Sequence, residues 1–171
     1  DNPLLEKGYA TTAFDSEGVA TYSKNIIENG VLKTYLYNLK SAAKDGTKST
    51  GNGFKAGFKG SVNTSTTNFY IEKGSMTPEE MAESVGEGIL ITDVAGLHSG
   101  TNSISGDFPV AAEGFKIENG KITSPVNQIT IASNFYDVLK NIEIIGCDLK
   151  FNSSAIGSPS VVVKDMSVAG L

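Results

Sequence analysis

The sequence predicts an α+β fold dominated by antiparallel β-sheet, barrel-like or sandwich, with two or three short helices, and three observations carry that expectation. Two Asn-Gly pairs, Asn29-Gly30 and Asn119-Gly120, lie between runs of β-branched and aromatic residues, and both residue types tolerate the positive φ of a tight hairpin turn. Glycine supplies 19 of the 171 residues and tryptophan none, a composition of many turns and short strands. Helical spacing is confined to short segments. A chain of 17.9 kDa suits one domain of ordinary size or two very small ones; one domain spanning 1–171 is the expectation.

In chain order, residues 1–18 carry Pro3, Gly8 and Gly18 without a sustained period and read as an extended lead-in. Val19, Thr21, Ser23 and Asn25 then alternate with Ala20, Tyr22, Lys24 and Ile26, and the run reaches Asn29-Gly30 before Val31–Tyr37, which predicts a hairpin. Leu39–Lys44 can form a short helix stopped at Gly46. The stretch 47–60 holds Gly51, Gly53, Gly57 and Gly60 among Lys48, Lys55 and Lys59. It lacks the Gly-Lys-Ser/Thr that opens a helix in phosphate-binding loops, so a mobile surface loop is expected. Residues 68–72 read as a strand. Thr77-Pro78-Glu79-Glu80 starts a helix, with Thr77 as cap, Pro78 at the first position and Glu80 closing the capping box; Met81, Ala82 and Val85 form its buried stripe.

Ile89–Val94 follows as a strand, then a polar, glycine-punctuated segment from Gly96 to Phe108 that contains the chain's single histidine. Val110–Ile117 and Lys121–Thr123 flank the second turn. Ile-Glu-Asn-Gly thus occurs twice, at 27–30 and 117–120, which suggests a pseudo-repeated β-architecture. Pro125–Ala132 is another strand, Ser133 is expected to cap a helix through Asn141, Ile142–Gly146 returns to strand, 152–159 is a loop, and 160–164 is a further strand. The two principal helices are expected to flank a closed or nearly closed barrel.

Fourteen Lys plus Arg against nineteen Asp plus Glu leave a net charge of −5 and a pI near 4.9, the wrong sign for a protein that binds nucleic acid by displacing counterions. Mean hydropathy is −0.09, and neither an apolar run approaching the ~20 residues of a spanning helix nor a charged-then-apolar leader is present, so a soluble protein without a membrane partner is expected. One Cys and one His cannot build a closed Cys/His zinc site or an internal disulfide, which fits a reducing compartment. A chain opening on Asp1 is expected to be a piece of a longer polypeptide.

Candidate chemistry concentrates at His98. Ser99 beside it, with Asp93 and Asp107 near in sequence, lets a nucleophilic triad be imagined, but adjacent His and Ser side chains usually point apart and no Gly-x-Ser-x-Gly elbow frames a serine. A metal site from His98, Cys147 and carboxylates is possible on ligand type alone; Cys147, after Ile144-Ile145-Gly146, reads more simply as a small buried hydrophobe. Asp107 and Phe108, where the polar loop enters a strand, are positioned to shape a cleft.

Several stretches resemble one family in collinear order over nearly the whole chain: Phe14–Thr21, Ile27–Lys33 with Tyr35-Leu36, Ser49–Asn52, and above all His98-Ser99-Gly100-Thr101-Asn102-Ser103-Ile104-Ser105-Gly106-Asp107-Phe108, then Gly114–Gly120, Ile129–Asn134, Gly146–Leu149 and Ile156–Ser160. They are similar to the C-terminal part of TldD/PmbA proteins, once named modulators of DNA gyrase. The resemblance implies a cytoplasmic metalloprotease that pairs a TldD subunit with a PmbA (TldE) subunit and degrades or matures unfolded peptides. The family's zinc site, a His-Glu-x-x-x-His helix in the first half of TldD plus a later Cys, has no counterpart here, and the loop resembles the PmbA branch.

The resemblance therefore implies a non-catalytic subunit with no cofactor in this chain, zinc in a TldD-like partner of a heterodimer or else a homodimer, and an unfolded peptide as substrate. Cys147 departs from the family's Gly-Asn-Asp-Leu and receives no ligand role. His98, Ser99, Gly100, Thr101, Asn102, Asp107 and Phe108 are the candidate substrate-cleft residues, with no catalytic or metal residue assigned. The competing class is a carbohydrate-binding β-module in which Tyr22, Tyr35, Tyr37 and Tyr70 stack on sugars. Direct action on gyrase or DNA rests on the historical name alone and is opposed by the charge.

Overall fold

The computed structural model describes residues 1–170, and of Ser99 the backbone alone. In chain order the first elements are β1 (Ile27–Glu28), β2 (Val31–Leu32), α1 (Leu39–Lys44), β3 (Gly53–Lys55), β4 (Val62–Thr64) and β5 (Phe69–Tyr70). They are followed by α2 (Pro78–Val85), β6 (Gly88–Ala95), α3 (Leu97–Gly100), β7 (Asp107–Glu118), β8 (Lys121–Asn134) and α4 (Phe135–Lys140). The last are β9 (Ile142–Ile145), β10 (Lys150–Phe151), β11 (Ile156–Ser158), β12 (Val161–Val163) and β13 (Ser167–Ala169). Sheet outweighs helix and most pairing is antiparallel, an α+β architecture. The chain forms two compact units, one of residues 1–72 with 150–158, the other of 73–149 with 159–171.

The first unit is held by polar side chains more than by a ladder. The β1–β2 hairpin turns through Asn29 and Gly30 at φ 50° and 74° but pairs only Ile27 with Leu32 and Glu28 with Val31. The alternating run from Val19 to Ile26 is not strand, because its polar groups are bonded elsewhere: the Thr21 hydroxyl donates to the Thr12 carbonyl and its N–H to Ala13. The expected mobile loop at 47–60 contains β3, which pairs with β4. It is tied down by Asn52, 0% exposed. The Asn52 amide donates to the Asp1 carboxylate at 2.9 Å and to the Ser65 carbonyl, and its oxygen accepts from the Thr50 hydroxyl and the Lys24 ammonium. Asp15 binds three backbone N–H groups, of Glu17, Val19 and Gly53. Hydropathy cannot reveal such a core, since buried polar groups read as surface until their partners are known.

The second unit is built on a four-stranded antiparallel sheet in the order β13-β8-β7-β6, with β9 and β12 paired as a separate two-stranded sheet. Its core is Val110, Ala112, Val126, Ile129 and Ile131, with Ile89, Ile91, Phe108 and Met166 packed against it. α2 starts at the predicted capping box, Thr77 accepting from the Glu80 N–H and the Glu80 carboxylate accepting from Thr77, and buries Met81 and Ala82. The sheet does not close: among the described residues β6 and β13 are its outer strands and no closed barrel forms, which corrects that expectation. The two Ile-Glu-Asn-Gly turns share their backbone geometry, Asn119 and Gly120 having φ 52° and 74°. They join hairpins of very different length in different units, so the tetrapeptide marks turn chemistry rather than an architectural repeat.

Ser133 does not cap α4. It remains in the ladder opposite Phe108, and Asn134 takes the cap, accepting from the Tyr136 N–H at 2.9 Å. Cys147 is exposed, not a buried hydrophobe. Strand β9 has ended before it, and the Cys147 N–H donates to the Met76 carbonyl, which breaks the inward alternation that the preceding apolar run suggested.

Candidate functional site

The segment from Gly96 to Phe108 connects the outer strand β6 to β7. Gly96 has φ 90°, a region costly for residues with a Cβ, and it launches the short turn α3. A Cβ at Gly100 would stand 2.9 Å from the Pro109 ring, so the absence of a side chain lets the turn lie against the start of β7. Asn102 then shapes the loop. Its N–H donates to the Asp107 carbonyl, its carbonyl accepts from the Gly106 N–H, both at 2.8 Å, and its Oδ1 accepts from the N–H groups of Ile104 and Ser105, an Asx-turn arrangement.

Asp107 locks the far end. Its Oδ1 accepts from the Asn134 side-chain amide at 2.8 Å and its Oδ2 from the Ser105 hydroxyl at 2.7 Å. The same Asn134 amide donates to the Ser105 carbonyl while Asn134 Oδ1 caps α4. The bonds from Asn134 and then Ser105 hold the Asp107 carboxyl below its ordinary range, against a smaller opposing effect of burial. A carboxylate so tied stays ionised and accepts hydrogen bonds; it is a strut rather than a proton shuttle.

These ties leave an apolar depression of about 300 Å³ walled by Leu97, Phe108, Phe135 and Tyr136, with Thr101, Asn102 and Ser103 on its polar side. Phe135 and Tyr136 meet edge to face, centroids 6.2 Å apart. Leu97, Phe135 and Tyr136 are all more than half exposed, and Ile104 is 90% exposed. Alongside, β6 carries no strand on its outer side among the described residues, and its second half is exposed. Unpaired N–H and C=O groups on such an edge can accept an added strand.

Of the predicted residues, the structure brings Thr101, Asn102 and Phe108 to one depression, sets Asp107 behind it as the tie, and places Gly100 under the turn. His98 is exposed on α3. The Ser99 side chain lies outside the described residues. Asp107 is committed to Ser105 and Asn134 rather than to an imidazole. Sequence reasoning missed Ser105, Asn134, Phe135 and Tyr136. Counting back from the Asn119-Gly120 turn sets Ala132 opposite Asp107; two register shifts in the β7–β8 ladder bring Asn134 there instead.

The tyrosines offered to a sugar do not form a flat platform. Tyr22 lies beneath the Lys24 ammonium at 4.4 Å, Tyr35 and Tyr37 meet at 64°, and Tyr70 packs edge to face on Phe151. As for a metal, no group of three His, Cys, Asp or Glu side chains converges among the described residues. A catalytic zinc takes three protein ligands, and exposed His98 and Cys147 belong to no such group among the described residues, so these donors do not fit the zinc that the resemblance implies elsewhere. No helix among the described residues is long and apolar enough to cross a membrane.

An open antiparallel sheet, capped at one end by a hydrogen-bonded polar loop, defines a β-rich module. Residues 1–170 match the PmbA/TldA metallopeptidase C-terminal domain, and the chain belongs to that family. It is 38% identical over 170 residues to the metalloprotease PmbA of Escherichia coli O157:H7, covering 99% of this chain and 35% of that protein. A crystal structure from Thermotoga maritima, whose name proposes a modulator of DNA gyrase, superposes with a TM-score of 0.86 at 42% identity, covering 99% of this chain and 38% of the other. TldE from Thermococcus kodakarensis superposes with a TM-score of 0.89 at 28% identity, covering 99% and 39%. The chain thus spans little more than a third of the length of these relatives.

Proposed function

We propose that this chain is the C-terminal domain of a PmbA/TldE-like, non-catalytic subunit of a cytoplasmic metalloprotease that degrades or matures unfolded peptides, acting with a TldD-like subunit that carries the zinc. The observation that carries the reading is the outer strand β6 running into the pinned loop 96–108: an edge for main-chain pairing that ends beside an apolar depression. An extended peptide paired to that edge is held largely by its backbone, which suits substrates of varied sequence. The tied loop contributes a wall that keeps bulk water from the bound segment. The resemblance of the loop His98–Phe108 to the PmbA branch supports the division of labour, with hydrolysis assigned to the partner.

Full-length protein carrying this domain, assayed on an unfolded peptide with and without its zinc-loaded TldD-like partner, tests the reading. Cleavage is expected only with the partner. Comparable cleavage by the metal-free subunit alone would overturn it.

A further inference from the structure

The register of β6 against β7 sorts the residues of the outer strand by face. Asp93 lies opposite Glu113 and Val94 opposite Ala112, and residues paired across a ladder stand on the same face. Ala112 is buried in the core cluster, and Phe108, four residues back along β7, packs on that cluster and also walls the apolar depression. Period-two alternation therefore puts Val94, 38% exposed, on the face that leads to the depression. Asp93 and Glu113 occupy the other face, and both are exposed.

Each face has its own chemistry. Beyond Ala95 the chain leaves the ladder for α3, and Leu97 joins Phe108, Phe135 and Tyr136 around about 300 Å³ of apolar space. On the opposite face two carboxylates meet as a cross-strand pair, which by itself is destabilising. No basic side chain among the described residues forms an ion pair with either of them. The Asp93 carboxylate stays close to the strand, its Oδ1 accepting from the Val94 N–H at 2.8 Å.

Building on the pairing of a peptide with β6 proposed above, we infer that this edge selects its peptide by side chain. A large apolar residue, aromatic or branched aliphatic, enters the depression, and a basic residue on the opposite face of the same peptide meets Asp93 and Glu113. A strand added outside β6 continues the alternation of the sheet, so its consecutive residues point to the two faces in turn. The depression lies four residues, roughly 13 Å, past Val94 along the strand direction, the spacing of Phe108 from Ala112. The apolar and basic residues of a preferred peptide are therefore an odd number of positions apart, about five. The other positions are held by main-chain bonds and are indifferent to sequence. The apolar residue supplies most of the preference, since a large side chain removed from water outweighs an exposed charge pair.

Fluorescence anisotropy with the full-length protein alone tests this, using blocked, dye-labelled peptides of Ser, Thr and Gln that carry one Phe and one Lys, about five positions apart. Replacing the Phe by Ala is expected to weaken binding about tenfold or more. Replacing the Lys by Glu is expected to weaken it several-fold at low salt and less at high salt. Moving the Lys one position closer to the Phe puts both on one face and should lose the charge contribution with composition unchanged. Phe135→Ser and Leu97→Ser alter exposed walls, so that one serves if the other fails to fold, and each should abolish the preference for Phe over Ala. Asp93→Asn with Glu113→Gln should abolish the preference for Lys over Glu. Equal binding of the Phe and Ala peptides overturns the inference, as does a Phe preference that survives the wall variants or indifference to Lys against Glu. Hydrogen exchange on the same mixtures separates this failure from that of the strand pairing beneath it. Slowed exchange in Gly88–Ala95 with every peptide, without side-chain preference, overturns the selectivity alone; no protection of β6 by any peptide overturns both.

Discussion

Asp107 joins two segments that the chain separates by a long hairpin, taking one bond from Ser105 within its own loop and one from Asn134 on β8. Asp107→Asn removes the charge both donors point at. Amide exchange at residues 102–106 and at Phe135, whose N–H donates to the Gly106 carbonyl, should then accelerate while the rest of β7 and β8 is unchanged. Because the folded carboxyl titrates below its ordinary 3.8, this tie is complete above the normal carboxylate range and is lost as pH falls through the lower folded value. NMR titration of the Ser105 and Asn134 resonances should show that acid transition, absent in the variant. Gly106→Ala must place a Cβ at φ 85° and 3.1 Å from the Tyr136 ring, at a cost of about 1–2 kcal/mol, measurable by denaturant unfolding.

Lys24 offers a second residue-level test, in the first unit. Burial lowers its ammonium from 10.5 to about 8, although it contacts the Asp1 carboxylate at 3.4 Å and Asn52 at 3.1 Å. Between pH 8 and 10.5 the unfolded chain therefore binds more protons than the folded one at this site, and stability contributed here rises with pH across that window. Unfolding midpoints of wild type should rise relative to those of Lys24→Met as pH increases from 8 to 10.5. A constant difference would show that the side chain is not desolvated.

Among the elements, those whose signals are local were legible in the sequence and those that depend on distant partners were not. α2 sits where Thr77, Pro78 and Glu80 put it, because capping is decided within four residues; Thr77→Ala should cost about 1 kcal/mol in denaturant unfolding. Both Asn-Gly turns formed for the same reason. The β7–β8 ladder was foreseen as strands but not in register, since its shifts arise from the sheet itself. Gly114 shows why: a Cβ there would fall on the Leu90 carbonyl, a clash visible only once β6 and β7 are paired. Residues 19–26 carried an alternating pattern without becoming strand because Thr21, Lys24 and their partners satisfied the backbone and side chains by other routes. For the site, the polar loop and its Asp107 and Asn102 were evident in the chain. The aromatic wall of Phe135 and Tyr136 was not, because the register that brings Asn134 opposite Asp107 also sets the start of α4.

At the scale of the molecule, the chain offers edges, a pinned loop and anchored aromatic surfaces, and concentrates no metal-binding group among its described residues. Under the proposed function an unfolded peptide would pair with β6 while hydrolysis took place on another subunit. Hydrogen exchange of the full-length protein, read peptide by peptide with and without an unfolded substrate, addresses that directly. The account predicts slowed exchange in Gly88–Ala95 and in the adjoining loop through Asp107, with little change in β8. Unaltered exchange along β6 at saturating peptide would contradict it.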